Sequence, residues 1–138
     1  MKNGDQTKTI LLIEDDKDLR KIIAEYLEEC GYHVIIATRG QCGYRMFRKI
    51  EPALALLDIM LPDMNGLEII RRVKSEQHLN DIPIIIISGQ ADLKDRLEGY
   101  LTGAERYLCK PFDMEELGEA INMLLKPGGD ASSSPEYE

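Results

Sequence analysis

The chain has 138 residues, 25 acidic against 17 basic, with a formal net charge of −8 and three cysteines. That length fits a single domain able to bury roughly two thirds of its unfolded surface, and its acidity argues against direct binding of nucleic acid or anionic lipid by this domain. No apolar run is long enough to span a membrane, and residues 1–9 hold no signal core, so a cytoplasmic protein is expected.

Taken in order, the chain alternates short apolar runs with helical periodicities. A polar leader, residues 1–8, runs into a strand at residues 8–13, and Asp16 is placed to cap a helix whose apolar residues are Leu19, Ile22, Ile23, Tyr26, Leu27 and Cys30. Gly31 stands where a helix-ending glycine belongs, and residues 33–37 form a second strand. Residues 40–50 predict a weaker helix with Met46, Phe47 and Ile50 inward, stopped before Pro52. Residues 53–58, Ala-Leu-Ala-Leu-Leu-Asp, read as a strand buried on both faces that stops abruptly at a carboxylate. Turn residues 61–66 lead into a helix carrying Leu67, Ile70 and Val73. A β-branched strand at 83–87 ends at Ser88-Gly89, and the helix at 92–101 is expected to pack through Leu93, Leu97 and Leu101. The last strand, 107–109, ends in Lys110-Pro111, and Asp113 caps a helix with Met114, Leu117, Ile121, Leu124 and Leu125 inward. Residues 127–138 read as a flexible tail or the start of a linker.

Five strands alternating with five helices predict a three-layer, doubly wound α/β domain over residues 9–126. The flavodoxin-like strand order 2-1-3-4-5 gathers the polar strand ends at one crevice, so Glu14, Asp15, Asp58, Ser88 and Lys110 would line one pocket. Carboxylates crowded together repel one another and are most readily held by a hard, oxygen-seeking cation, for which Mg²⁺ is the natural choice. With that charge offset, Asp58 can act as a nucleophile on phosphorus, while Lys110 and the Ser88 hydroxyl supply donors for phosphoryl oxygens. The simpler readings hold elsewhere. Asp16 is a helix cap, Asp63 a turn residue, and Glu25, Glu28 and Glu29 a solvated helix face. Cys30, Cys42 and Cys109 lack Cys-x-x-Cys spacing, and His33 and His78 have no second ligand candidate, so neither a disulfide framework nor a zinc site is indicated.

Four segments in order carry a resemblance: Ile-Glu-Asp-Asp at 13–16, Leu-Leu-Asp-Ile-Met-Leu-Pro-Asp-Met-Asn-Gly at 56–66, Pro-Ile-Ile-Ile-Ile-Ser-Gly at 83–89 and Gly-Ala-Glu-Arg-Tyr-Leu-Cys-Lys-Pro-Phe at 103–112. The chain resembles the receiver domain of two-component response regulators, whose CheY-like fold has the same strand order. The resemblance implies a phosphorylation-activated switch, not an enzyme in the ordinary sense: Asp58 accepts a phosphoryl group from a sensor histidine kinase, a histidine phosphotransfer protein or a small phosphodonor. It implies Mg²⁺ on Asp15, Asp58 and the Met60 backbone carbonyl, with Glu14 acting mainly through water. It makes Ser88 and Tyr107 the switch pair, Lys110-Pro111 a cis peptide, and the face of helix 92–101, strand 106–109 and helix 113–125 the contact for a downstream protein or an appended output domain. Glu14 stands where the family more often has Asp, and Ser88 where Thr is common. Arg106 and Ala120 replace the acid and arginine through which the winged-helix branch dimerises, so that branch's tight dimer is not expected.

Rival functions lack their residues. A phosphatase of the haloacid dehalogenase type needs a second Asp where Met60 stands, a flavodoxin needs a hydroxyl-rich phosphate loop where Glu14, Asp15 and Asp16 stand, and no Gly-x-x-x-x-Gly-Lys-Ser/Thr motif is present. A stand-alone phosphorelay intermediate or scaffold remains open beside the receiver of a longer regulator.

Overall fold

The computed structural model describes residues 7–90 and 92–125, so most of the expected leader and all of the tail at 127–138 lie outside the described residues. Ten elements alternate without exception: β1 (Thr9–Ile13), α1 (Lys17–Glu29), β2 (His33–Ala37), α2 (Gly40–Ile50), β3 (Leu54–Asp58), α3 (Gly66–Lys74), β4 (Ile84–Ser88), α4 (Leu93–Thr102), β5 (Arg106–Cys109) and α5 (Met114–Leu125). All strands are parallel, in the order β2-β1-β3-β4-β5, as the sequence predicts.

Strand periodicity divides the core into two layers. Leu11, Ile13, Ala55, Leu57, Ile84 and Ile86 point to one face, where Phe47 of α2 and Ile69, Ile70 and Val73 of α3 cover them. Ile10, Leu12, Leu54, Leu56, Ile85 and Ile87 point to the other, under Ile23 and Leu27 of α1 and Leu117 and Ile121 of α5. Every residue of β3 and β4 is buried, which accounts for the unbroken apolar runs in their sequences.

Local chemistry sets the helix ends. Asp16 Oδ1 accepts from the amides of Asp18 and Leu19, and Gly31 follows α1 with φ of 98°. Glu51, before Pro52, where right-handed helical backbone is disfavoured, ends α2 in the left-handed region with φ of 45°.

Two helices leave apolar residues in water, and for α4 this corrects the expected face. Ile22 of α1 is 51% exposed, one position off the buried stripe of Ile23 and Leu27, and Cys30 is exposed at the helix end. On α4, Leu93, Leu97 and Leu101 are 80, 54 and 79% exposed, and the helix buries Gly99 instead. Spacing by four identifies a common face but not its direction, and here the glycine decides it. A β-carbon at position 99 would lie 2.8 Å from Ile86 Cδ1 and 3.0 Å from Tyr107 Cδ2, so α4 lies against the sheet on its side-chain-free edge.

Core and surface substitutions should therefore separate sharply in urea unfolding. Phe47→Ala should cost about 3–5 kcal/mol, whereas Ile22→Ala and Leu97→Ala should each stay within roughly 0.5 kcal/mol of the parent.

Candidate functional site

The carboxyl edge of the sheet brings the ends of β1, β3, β4 and β5 side by side. Asp58 closes β3 opposite Ile87 of β4, Ser88 closes β4 opposite Cys109 of β5, and Lys110 follows directly. The Lys110 amide donates to the Ser88 carbonyl at 2.7 Å, which extends the ladder by one bond and fixes the lysine's origin. The Lys110–Pro111 peptide bond is cis.

From that origin the lysine side chain spans two acids. Its Nζ lies 2.9 Å from Asp58 Oδ2 and 3.0 Å from Glu14 Oε1. Asp58 Oδ1 accepts from the Met60 amide at 2.9 Å, and Glu14 Oε2 accepts from the Asp16 amide at 2.9 Å. Glu14 is fully buried, and its Oε1 receives no hydrogen bond of good geometry, only the ammonium beside it. Burial pushes the Glu14 carboxyl above its usual range, against the Asp16 amide and Lys110, which pull it down. Burial alone would lower the Lys110 ammonium, but its hydrogen bond to Asp58 and the negative charge of Glu14 beside it outweigh that and hold it above the usual lysine range.

Asp15 is exposed and completes the acidic group. One carboxylate oxygen from each of Glu14, Asp15 and Asp58 lies within 4.8 Å of the others. An all-oxygen set with one buried, underused oxygen is what a hard divalent cation takes, so these residues fit Mg²⁺. Met60 contributes its backbone at this site, while its side chain points outward, 62% exposed.

Ser88 and Tyr107 belong to a neighbouring network that the sequence did not reveal in full. Ser88 is buried and its Oγ accepts from the Gln90 amide at 3.1 Å, while the Tyr107 hydroxyl donates to the Gln90 carbonyl at 2.8 Å. Gln90 thus ties the two together through its backbone, which no side-chain pattern can announce. The Tyr107 ring is buried, and its burial raises the phenol above its ordinary range.

Asp63 is a second residue whose role reaches beyond its sequence reading as a turn former. Its carboxylate accepts from the amides of Gly40 at 2.7 Å and Gln41 at 3.0 Å, capping α2 from across the molecule. Arg39, at the N-cap position of α2, provides no such bond. The loop after Asp58 is therefore anchored to the first turn of α2.

Fold and pocket together define the class: an open, doubly wound α/β domain with an acidic crevice, bridged by a lysine, at the carboxyl edge of its sheet. A family model for the response regulator receiver domain matches residues 10–122, and the chain belongs to that family. It is 38% identical to the transcriptional regulatory protein GltR of Pseudomonas aeruginosa over 86% of this chain and 49% of that protein. It is 40% identical to the response regulator ArlR of Staphylococcus haemolyticus over 85% of this chain and 52% of that protein. The chain thus spans about half the length of these curated relatives. Among solved structures, a CheY-like response regulator receiver domain protein from Methanospirillum hungatei superposes with a TM-score of 0.80 at 30% identity, covering 86% of this chain and 93% of that one. The chemotaxis response regulator CheY4 of Vibrio cholerae gives 0.82 at 24% identity over 87% and 100%, a likeness of fold. Membership of the family implies phosphorylation-dependent signalling by a regulatory domain. No helix among the described residues is long and apolar enough to cross a membrane.

The amides of Gly40 and Gln41, with Arg39 behind them, hold the Asp63 carboxyl below its usual range. Its folded-state value being depressed, the cap stabilises the fold fully above the ordinary aspartate range, and that contribution is lost as pH falls through the depressed value. Asp63→Ala should lower the melting temperature at neutral pH, and the gap to the parent should narrow when both are melted at pH 3.

Proposed function

We propose that this chain is a phosphorylation-activated signalling switch whose acceptor is Asp58, with a sensor histidine kinase, a histidine phosphotransfer protein or a small phosphodonor as the source. The observation that carries this reading is the Lys110 ammonium held between the Asp58 carboxylate and a buried glutamate, with a third carboxylate alongside. In the transfer from phosphohistidine, an Asp58 carboxylate oxygen forms a bond to phosphorus as the phosphorus–nitrogen bond breaks, and the imidazole leaves with that electron pair. The Asp58 oxygen bonded to the Met60 amide is held still, which keeps the carboxylate oriented for in-line attack. Lys110 then follows the charge, moving its contact from the carboxylate to the phosphoryl oxygens.

Glu14, Asp15 and Asp58, with the Met60 backbone carbonyl, would hold Mg²⁺, which supplies the positive charge that lets an anionic donor approach these carboxylates. The apolar depression formed by Leu19, Pro111 and Phe112 beside Lys110 gives a donor protein a surface to rest on next to the acceptor. Ile22 lies one helical turn beyond Leu19, and its exposure extends that surface.

Readout runs through Ser88 and Tyr107. The Ser88 hydroxyl is free to rotate its proton toward a phosphoryl oxygen while Gln90 follows through its amide, and Gln90 carries the Tyr107 hydroxyl with it. Displacement there bears on α4, whose Gly99 rests on the Tyr107 ring. The surface of α4, β5 and α5 is thus the one that changes for a downstream protein or an appended output domain. The switch unit spans residues 9–126.

Two measurements test this. Acetyl phosphate with Mg²⁺ should add one phosphoryl group by intact mass. Asp58→Asn should abolish that addition, whereas Lys110→Ala keeps the acceptor and loses the coupled change in Tyr107 fluorescence. Unchanged labelling of Asp58→Asn would place the acceptor elsewhere. Mg²⁺ alone should raise the melting temperature, since it binds only the folded cluster, and Asp15→Asn should remove most of that gain.

A further inference from the structure

Helix α2 takes its cap from outside its own stretch of sequence. A helix is ordinarily capped by the residue just before it. Arg39 stands there with the extended backbone of a cap, φ −136° and ψ 155°, but offers no side-chain acceptor. The acceptor comes from Asp63, whose Oδ1 takes the Gly40 amide at 2.7 Å and whose Oδ2 takes the Gln41 amide at 3.0 Å. An asparagine or serine at position 39 would serve the first turn as well, so the stability of α2 does not by itself call for a carboxylate from a distant loop.

What the distant cap adds is a hold on the loop that carries it. The base of that loop is closed across itself: the Gly66 amide donates to the Ile59 carbonyl at 2.7 Å, Met60 bridges Asn65, and Asn65 caps α3 through the Leu67 amide. These bonds join the two ends of the loop and do not fix where its tip, residues 61–64, points. Among the described residues, Asp63 makes the hydrogen bonds by which this tip reaches another element. Met64 adds an apolar contact at the same place, since a β-carbon on Gly40 would lie 2.7 Å from its sulfur. The tip is thus clamped to α2, and Pro62 and Asp63 line one open crevice with Asp15, Met60 and Gln90.

The clamp matters at Met60. Its amide holds Asp58 Oδ1 at 2.9 Å, and its carbonyl belongs to the Mg²⁺ set proposed above. A tip free to pivot on its base would turn the Met60–Leu61 peptide and take that carbonyl out of line. We propose that Asp63 is a positioning residue of the acceptor site: by tying the loop tip to the first turn of α2 it fixes the direction of the Met60 backbone, and through it the Mg²⁺ affinity of the site. This rests on the reading of Glu14, Asp15, Asp58 and the Met60 carbonyl as the metal set. Asp63 itself ligates nothing and acts as the outer support of a ligand.

The test removes the clamp and keeps the cap. Asp63→Ala loses both, whereas Asp63→Ala/Arg39→Asn returns a cap to α2 from the local position and leaves the loop tip untied. Amide exchange of the metal-free protein, followed by NMR, reads the two ends separately. The Gly43 amide, which donates to the Arg39 carbonyl at 2.9 Å in the first turn of α2, should lose protection in the single variant and regain it in the double. The Met60 amide should exchange faster than in the parent in both. The double variant should recover most of the melting temperature lost by Asp63→Ala, yet bind Mg²⁺ about tenfold more weakly in calorimetric titration. Its labelling by acetyl phosphate should be slow at limiting Mg²⁺ and approach the parent rate at saturating Mg²⁺. Parent-like Mg²⁺ affinity in Asp63→Ala, or a double variant that regains Met60 protection and Mg²⁺ affinity together with its cap, would reduce Asp63 to a helix cap and overturn the proposal. Exchange and metal titration need no phosphoryl transfer, so the two readings fail separately. A parent that binds Mg²⁺ and is labelled once, with affinity indifferent to Asp63, refutes the clamp alone, and labelling that survives Asp58→Asn refutes the acceptor alone.

Discussion

The ammonium of Lys110 between Asp58 and Glu14 is the interaction on which the rest of this edge depends. Two carboxylates brought close at the ends of adjacent buried strands would push those strands apart, and one of them, Glu14, is fully out of water. The lysine offsets that repulsion and reaches both acids only because β5 lies two strands from β3 in the sheet. The strand order is therefore a requirement of the charge arrangement. An order that placed β5 elsewhere would leave a buried glutamate without its countercharge, a loss on the scale of a large core cavity.

Most of this was legible in the sequence because each strand's burial is written in its composition. The runs Leu54 to Leu57 and Ile84 to Ile87 carry no polar residue, which only a strand covered on both faces tolerates, and the polar residues that end them mark one rim. The convergence of Glu14, Asp15, Asp58 and Lys110 followed from that rim. What escaped were bonds made by backbone or across long separations. Gln90 joins Ser88 to Tyr107 with its amide and carbonyl, so its side-chain identity carries no trace of the role. Asp63 caps a helix 23 residues upstream, and in sequence it looks like any acid in a Pro-Asp turn.

The direction of α4 was misread for a related reason. Apolar spacing of four defines a stripe, and in a domain of this class a stripe ordinarily faces the sheet. Gly99 reverses that expectation, because a helix can approach a buried aromatic ring more closely through a glycine than through a leucine. The outcome is a helix whose apolar face is exposed and which meets the sheet through its backbone at Gly99, against the Tyr107 ring. Such an element shifts more readily than α2 or α3, which bury Phe47, Ile69, Ile70 and Val73.

The Asp63 bonds to Gly40 and Gln41 close a ring of chain that runs through α2, β3 and the loop after Asp58. A ring has a fixed contour. An added or deleted residue between Asp58 and Asp63 would swing the carboxylate off the amides it meets at 2.7 and 3.0 Å and uncap α2 as well as disturb the loop. Surface loops usually accept insertions at little cost, but this one has the length tolerance of a core element. The spacing from Asp58 to the cap is held by a helix on the far side of the ring.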